Sequence, residues 1–417
     1  MATLSNMDAI LKDDYKEYWE QFNQTCFILA QLDPQSDTIQ GRRATHAIHT
    51  GRSGAVGARR DGVTLPTAAR QRHTTVQVPL RYVYGRIELS LPLINQASGG
   101  SASFVDSMEN EMSGIRNDGG RDVCRQAWGT SNGVVAQCGT TSSSTTVQLA
   151  STTTAAQMRH LFVGRRIDIG TVASPTTIAD SVSITAVSTS SKTITISGSA
   201  VTTSSSHYVF IEDAGGASDN TGNVDDGQSE LTGLQTIVDD SGTLHTVNPS
   251  TYPIWVAQEY GNSGTNRALA ETMVTQAIMQ NTVESGETVD VLISNIGVGI
   301  VAQQILAAYN RNVDTVEFKG GFKGLKWSTP GVGGSGSRDV GWFVDFDCPA
   351  NSIYGINTGR LRLYQDAPWT WMDNDGAVLS RVQNYPAFEA TLYTSMELAC
   401  VQRNAHFKIT DLTESSL

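Results

Sequence analysis

The chain has 417 residues, a formal net charge of −12 and only 17% charged residues. It is long enough to bury more than one core and too acidic overall to coat nucleic acid with its whole surface. No run of 18 uninterrupted apolar residues occurs, so no helical membrane span is expected, and the first residues lack the basic-then-apolar pattern of a secretory leader.

Five cysteines (Cys26, Cys124, Cys138, Cys348, Cys400) are scattered without a CxxC pair. Reduced, partly buried thiols are expected rather than a disulfide framework or a zinc site. The 39 glycines and the long Ser/Thr tracts point to a β-rich chain with many turns.

In chain order, Leu4, Met7, Leu11, Tyr15, Tyr18, Phe22 and Cys26 fall at helical spacing among charged residues, which predicts an amphipathic helix over 4–26. Residues 41–86 follow with nine arginines, no lysine and a single acid, Asp61. That segment carries about +8 and leaves about −20 for the rest of the chain. Its Gly- and Ala-rich tip, 51–66, has no helical stripe, while 74–78 and 82–91 alternate as strands do. A long hairpin with a flexible end is predicted, too poor in apolar surface to be stable without a partner to lie on.

Residues 103–128 read as a long helix opened by a Ser103/Asp106 capping box, with Gly114 and Gly119-Gly120 as points where it could bend. Residues 139–212 change character. Short β-branched runs at 145–149, 166–172, 182–187, 192–197 and 208–211 alternate with Ser/Thr turns and predict a small all-β module. From Leu231 the pattern becomes α/β: helices near 266–284 and 298–310, a buried strand at 289–293, and a final strand at 388–400 on the order of 40 Å long.

The candidate chemical sites are few. His46 and His49 sit three apart in what reads as a loop among arginines, with no nearby third ligand. Asp373-Asn374-Asp375-Gly376 reads as a turn, since it lacks the ligand spacing of a calcium loop. Asp345 and Asp347 are expected on one strand face, without a cleft for acid catalysis. Gly331 to Gly336 has no Lys-Ser/Thr after it and is not a phosphate cradle. Trp369 and Trp371 are expected to pack in a core or an interface.

The order of parts, together with 230–238, 260–267, 289–295, 318–326, 369–376 and 387–412, resembles the major capsid proteins of tailed double-stranded DNA bacteriophages, the Hong Kong 97-like family. The resemblance covers most of residues 40–412. It implies an α+β fold divided into an N-arm (1–40), an extended loop (41–97), a spine helix with the start of the peripheral domain (98–138), an inserted β-rich module (139–228), an axial domain (229–365) and the rest of the peripheral domain (366–417). It also implies a structural role rather than an enzyme, with no cofactor and no membrane.

The implied product is a shell of pentamers and hexamers in the virion, assembled in the bacterial host cytoplasm. A separate scaffolding protein, a portal and a decoration protein are the implied partners. Alternatives are a nanocompartment shell of the same fold and a secreted β-rich adhesin.

A basic arm on an acidic subunit suits contact with a neighbouring copy, with Arg52, Arg59, Arg60, Arg70, Arg72, Arg81 and Arg86 as the contact residues. Non-specific contact with packaged DNA is the rival use of the same arginines. The family's founding example links its loop covalently through a lysine. Here no lysine lies between Lys16 and Lys192, so a non-covalently held shell is expected.

Overall fold

The computed structural model describes residues 27–36, 38–90, 101–214, 229–309, 315–317, 323–329, 338–373 and 376–415. The expected helix at 4–26, Cys26, the loops at 215–227 and 331–336, and Asn374-Asp375 lie outside the described residues.

Three stretches build the hairpin. Strand β1 (Arg43–Gly51) pairs antiparallel with β2 (Arg72–Pro79), and the short strand Ile39–Gln40 lies on the outer edge of β1. Alternation puts Ala44, Ile48, Val76 and Val78 on the buried face. The hairpin's first strand, 43–51, was not among the expected strands, because its two apolar residues, Ala44 and Ile48, sit among Arg, His and Thr.

The second expected flank, 82–91, is not part of the hairpin. After the buried Leu80 the chain enters β3 (Arg81–Ser90), which belongs to a different sheet. Helix α1 (Ser101–Trp128) follows and is unbroken across its glycines. Gly119 serves close packing instead of a bend, since a Cβ there would lie 3.2 Å from the Trp369 ring, whereas a Cβ at Gly114 would meet nothing within 4 Å. One turn earlier on the same helix, Ile115 would lie 3.1 Å from a Cβ at Gly85 of β3.

The β-rich stretch forms sheets of its own that begin at Val134, ahead of residue 139. Strand Val134–Gln137 pairs with Tyr208–Ile211, and the six-stranded sheet continues through Arg166–Thr171, Ser174–Ser188, Thr193–Ile196 and Thr146–Gln148. Each expected strand is present. Ile194 and Ile196, at 0% and 3% exposure, confirm the period-2 reading of that stretch. A separate core of Val135, Val147, Leu149, Ile167, Ile169, Ile184 and Val209 holds the module together.

The α/β part is a seven-stranded mixed sheet centred on Val291–Ser294, all four residues buried. Helices α2 (Glu271–Ser285) and α3 (Ile296–Tyr309) pack on this sheet. Next come β4 (Leu361–Trp371) and β5 (Ala387–Cys400), which pair antiparallel and also receive β3 along ten residues of register. At 14 residues β5 is about 45 Å long.

The boundary at 365/366 falls inside β4, and Phe407–Ile409 returns to the seven-stranded sheet between Gln258–Tyr260 and Ile353–Ile356. Strand pairing is a long-range fact that contiguous sequence segments do not report.

Candidate inter-subunit surface

The root of the hairpin is fixed to its own chain. Gln77 N–H donates to Thr246 Oγ1 at 3.3 Å, Arg43 Nη1 donates to Gln77 Oε1 at 2.8 Å, and His46 Nδ1 lies 3.2 Å from the Tyr364 hydroxyl. His245, fully buried beneath this root, has its pKa pushed down to about 3, chiefly by burial and then by nearby His46, Arg403 and Arg81. Both His245 and Thr246 take a positive φ, 48° and 71°. The turn closes through the Leu244 and Val247 backbone bonds, and Arg403 ties the segments on either side of it together by donating to the carbonyls of Thr236, Ile237, Ser241, Gly242 and Trp255.

Beyond Gly51 the regular pairing stops. Residues 52–71 form no strand or helix, and Val56 and Leu65 are 90% and 85% exposed. Arg52, Arg59, Arg60, Arg70 and Arg72 are exposed, and among the described residues none has a carboxylate within 4.0 Å. Twenty residues of largely exposed, partly apolar chain without strand or helix pairing project from the fixed root, and their arginines meet no carboxylate among the described residues.

The other two arginines are placed differently. Arg81 is 5% exposed and its Nε lies 3.6 Å from Glu397 Oε2, inside the sheet formed by β3 and β5. It is an internal counter-charge and not a neighbour contact, because β3 turns inward immediately after Leu80. Arg86 remains on the surface but is ion-paired with Glu389 on the adjacent strand.

Glu397 is the carboxylate that the sequence concealed. Its Oε1 accepts from Thr232 N–H at 2.7 Å and from Leu398 N–H at 2.9 Å. Burial raises its pKa to about 7 against the opposing pull of Arg81 and those N–H groups. The same segment is gripped from the helix: Arg125 forks onto Glu230, and Leu231 N–H donates to Gln126 Oε1 at 3.2 Å. Gly233 completes the crossing, since a Cβ there would lie 2.1 Å from the Gly129 carbonyl oxygen.

The β module is latched to the body by two carboxylates. Asp122 on α1 receives Arg165 of the module at 2.7 Å and its own helix neighbour Arg125 at 3.2 Å. Although burial works the other way, the two guanidiniums hold its carboxyl well below the usual carboxylate range. Asp347 meets Arg159 Nη2 at 2.7 Å and His160 Nε2 at 2.8 Å.

That arrangement corrects the expectation for Asp345 and Asp347. The strand ends at Val344, both acids lie in the turn beyond it, and Asp347 joins parts of the fold instead of forming a catalytic pair. A cleft lined by Trp128, Thr153, Gln157, His160, Gln235 and Asp347 opens at the same junction. The sequence had offered no residues that form a cleft there.

The remaining candidates are accounted for. Trp369 and Trp371 are buried in the main core. Cys124, Cys138, Cys348 and Cys400 are free and buried, as expected of reduced thiols. His46 and His49 lie on β1 rather than in a loop, and an odd spacing on a strand puts them on opposite faces. Among the described residues no helix is long and apolar enough to cross a membrane.

No protein-family model matches the sequence, and no curated protein matches it significantly. Solved structures do. The chain is similar to the protein of the cyanophage A-1(L) capsid asymmetric unit, with 13% identity, 93% of this chain and 92% of that chain covered, and a TM-score of 0.54. The capsid of Myoviridae phage XM1 aligns less closely: 8% identity, 93% and 91% covered, TM-score 0.42. The capsid of a native GTA particle behaves likewise: 8% identity, 91% and 88% covered, TM-score 0.43. The likeness to the cyanophage chain extends end to end and shows a common fold. The chain thus shares its α+β fold with that capsid chain.

Proposed function

We propose that the chain is a major capsid protein that assembles into pentamers and hexamers of a closed phage head shell. The observation that carries this reading is the hairpin of a capsid-like fold: a root pinned by Thr246 and Tyr364, and a tip with five exposed arginines lacking any carboxylate of their own among the described residues. On a chain whose remainder is about −20, a second copy supplies the missing acids. Charge complementarity of this kind sets register and steers encounter.

In this reading Arg52, Arg59, Arg60, Arg70 and Arg72 are the contact residues, and the exposed Val56 and Leu65 become covered on assembly. The chain acts structurally and not as an enzyme, in the virion, after assembly in the host cytoplasm. A separate scaffolding protein, a portal and a decoration protein act alongside it, and packaged DNA touches the shell only non-specifically.

The shell is held without covalent links, because the loop has no lysine to make one. The test is negative-stain microscopy of the expressed chain together with electrophoresis of boiled particles. Closed polyhedral or tubular shells that run as single subunits after boiling support the reading. Failure to form shells, or a ladder of linked subunits, contradicts its assembly or its non-covalent part respectively.

A further inference from the structure

The hairpin neck carries a second feature that subunit contact does not use. The register of β1 and β2 sets His49 directly opposite His73, so their side chains leave the same face as nearest cross-strand neighbours. Both are exposed, with ring centroids 5.1 Å apart and planes at 53°. Two imidazoles on one tetrahedral divalent ion, with metal–nitrogen bonds of about 2.0–2.1 Å, have ring centres roughly 5 Å apart. The pair already stands at the chelating separation. Gln71 Oε1 is hydrogen-bonded to His49 Nε2 at 2.7 Å, close enough to become a third donor once an ion replaces the Nε2 proton.

We propose that His49 and His73 form a bis-imidazole site for a borderline divalent metal ion such as Zn²⁺, Ni²⁺ or Cu²⁺, completed by Gln71 and solvent. Imidazole donors select this class over magnesium or calcium. The site sits where regular pairing ends, with a register irregularity between His49 and Gly51. A bound ion there clips the neck and closes the loop that carries the arginine tip.

The nearby guanidiniums of Arg52, Arg70 and Arg72 weaken the binding of a cation, while Glu284 in the cleft beside His49 partly offsets them. The site is therefore of moderate affinity. The acidic group Asp239, Asp240 and Glu259 is a poorer candidate, because Lys408 Nζ already lies 2.8 Å from Asp239 and 3.0 Å from Glu259.

The test is calorimetric titration of the unassembled full-length chain with Zn²⁺ or Ni²⁺, paired with limited trypsin digestion of the tip. One ion per chain is expected, with affinity falling about tenfold or more in His49→Gln and in His73→Gln, and unchanged in His207→Gln. The ion slows cleavage at the tip arginines of the parent but not of His73→Gln. Absence of binding at millimolar ion overturns the proposal, as does equal affinity in the parent and the His49→Gln/His73→Gln double variant. Neither result bears on shell formation, which is measured separately.

Discussion

Replacing Glu397 with glutamine tests the buried charge at the centre of β5. In the folded chain burial holds this carboxyl at about pH 7, whereas an unfolded glutamate titrates near 4.5. Between those two values the folded state holds more protons than the unfolded one. Stability therefore falls as pH rises through that window and levels off above it. A separation of about 2.5 units at 1.36 kcal/mol each gives on the order of 3 kcal/mol.

Other carboxylates titrate as well, and Asp122, Asp239 and Asp347 are shifted the opposite way. The quantity to measure is thus the stability of the parent minus that of Glu397→Gln at each pH, which cancels their contribution. The variant keeps an oxygen for the N–H groups of Thr232 and Leu398 but leaves Arg81 without its counter-charge at every pH. Urea unfolding of the unassembled chain from pH 4.5 to 8, followed by tryptophan fluorescence, gives the curve. A difference that declines by about 3 kcal/mol with rising pH is expected. A flat difference refutes the placement of a buried, protonatable Glu397.

Substituting Arg52, Arg59, Arg60, Arg70 and Arg72 together by glutamine leaves the unassembled fold unchanged, since none has an ion pair in its own chain among the described residues. Shell yield then drops about tenfold or more with circular dichroism intact; unchanged yield refutes the neighbour-contact role. Gly233→Ala drives a Cβ to 2.1 Å from the Gly129 carbonyl oxygen and is expected to destabilise by about 3 kcal/mol or more, read as a lowered urea midpoint. Asp347→Ala releases Arg159 and His160 together; faster hydrogen exchange confined to 155–165 and the adjoining module strands is the expected outcome.

Much of this architecture was legible because period and turn chemistry are local. The Ile194/Ile196 alternation, the helix ending at Trp128 and the long strand ending at Cys400 each announced themselves in a few residues. What stayed hidden depends on pairing over distance. β1 looked like loop because its core-facing Ala44 and Ile48 sit among arginines and histidines.

Likewise Arg81 resembled the other hairpin arginines until β3 carried it 316 positions away in sequence to Glu397. Glu397 alternates with Met396, Leu398 and Cys400, the sequence pattern of a residue on a strand's solvent face. From Thr394 onward β5 is buried on both faces, and the only local hint was an acid inside the otherwise apolar run 396–400. The module latches, Asp122–Arg165 and Asp347–Arg159, join residues 43 and 188 apart, and no local pattern predicts either.

The central claim, that the chain builds a closed shell through its arginine hairpin, is tested most directly by electron microscopy of particles formed by the expressed full-length chain. The account predicts shells whose subunits form rings of five and six, with residues 52–71 of each subunit lying on an acidic surface of its neighbour. A chain that stays monomeric across concentration and ionic strength, or shells whose hairpins touch only their own subunit or the enclosed DNA, would contradict it.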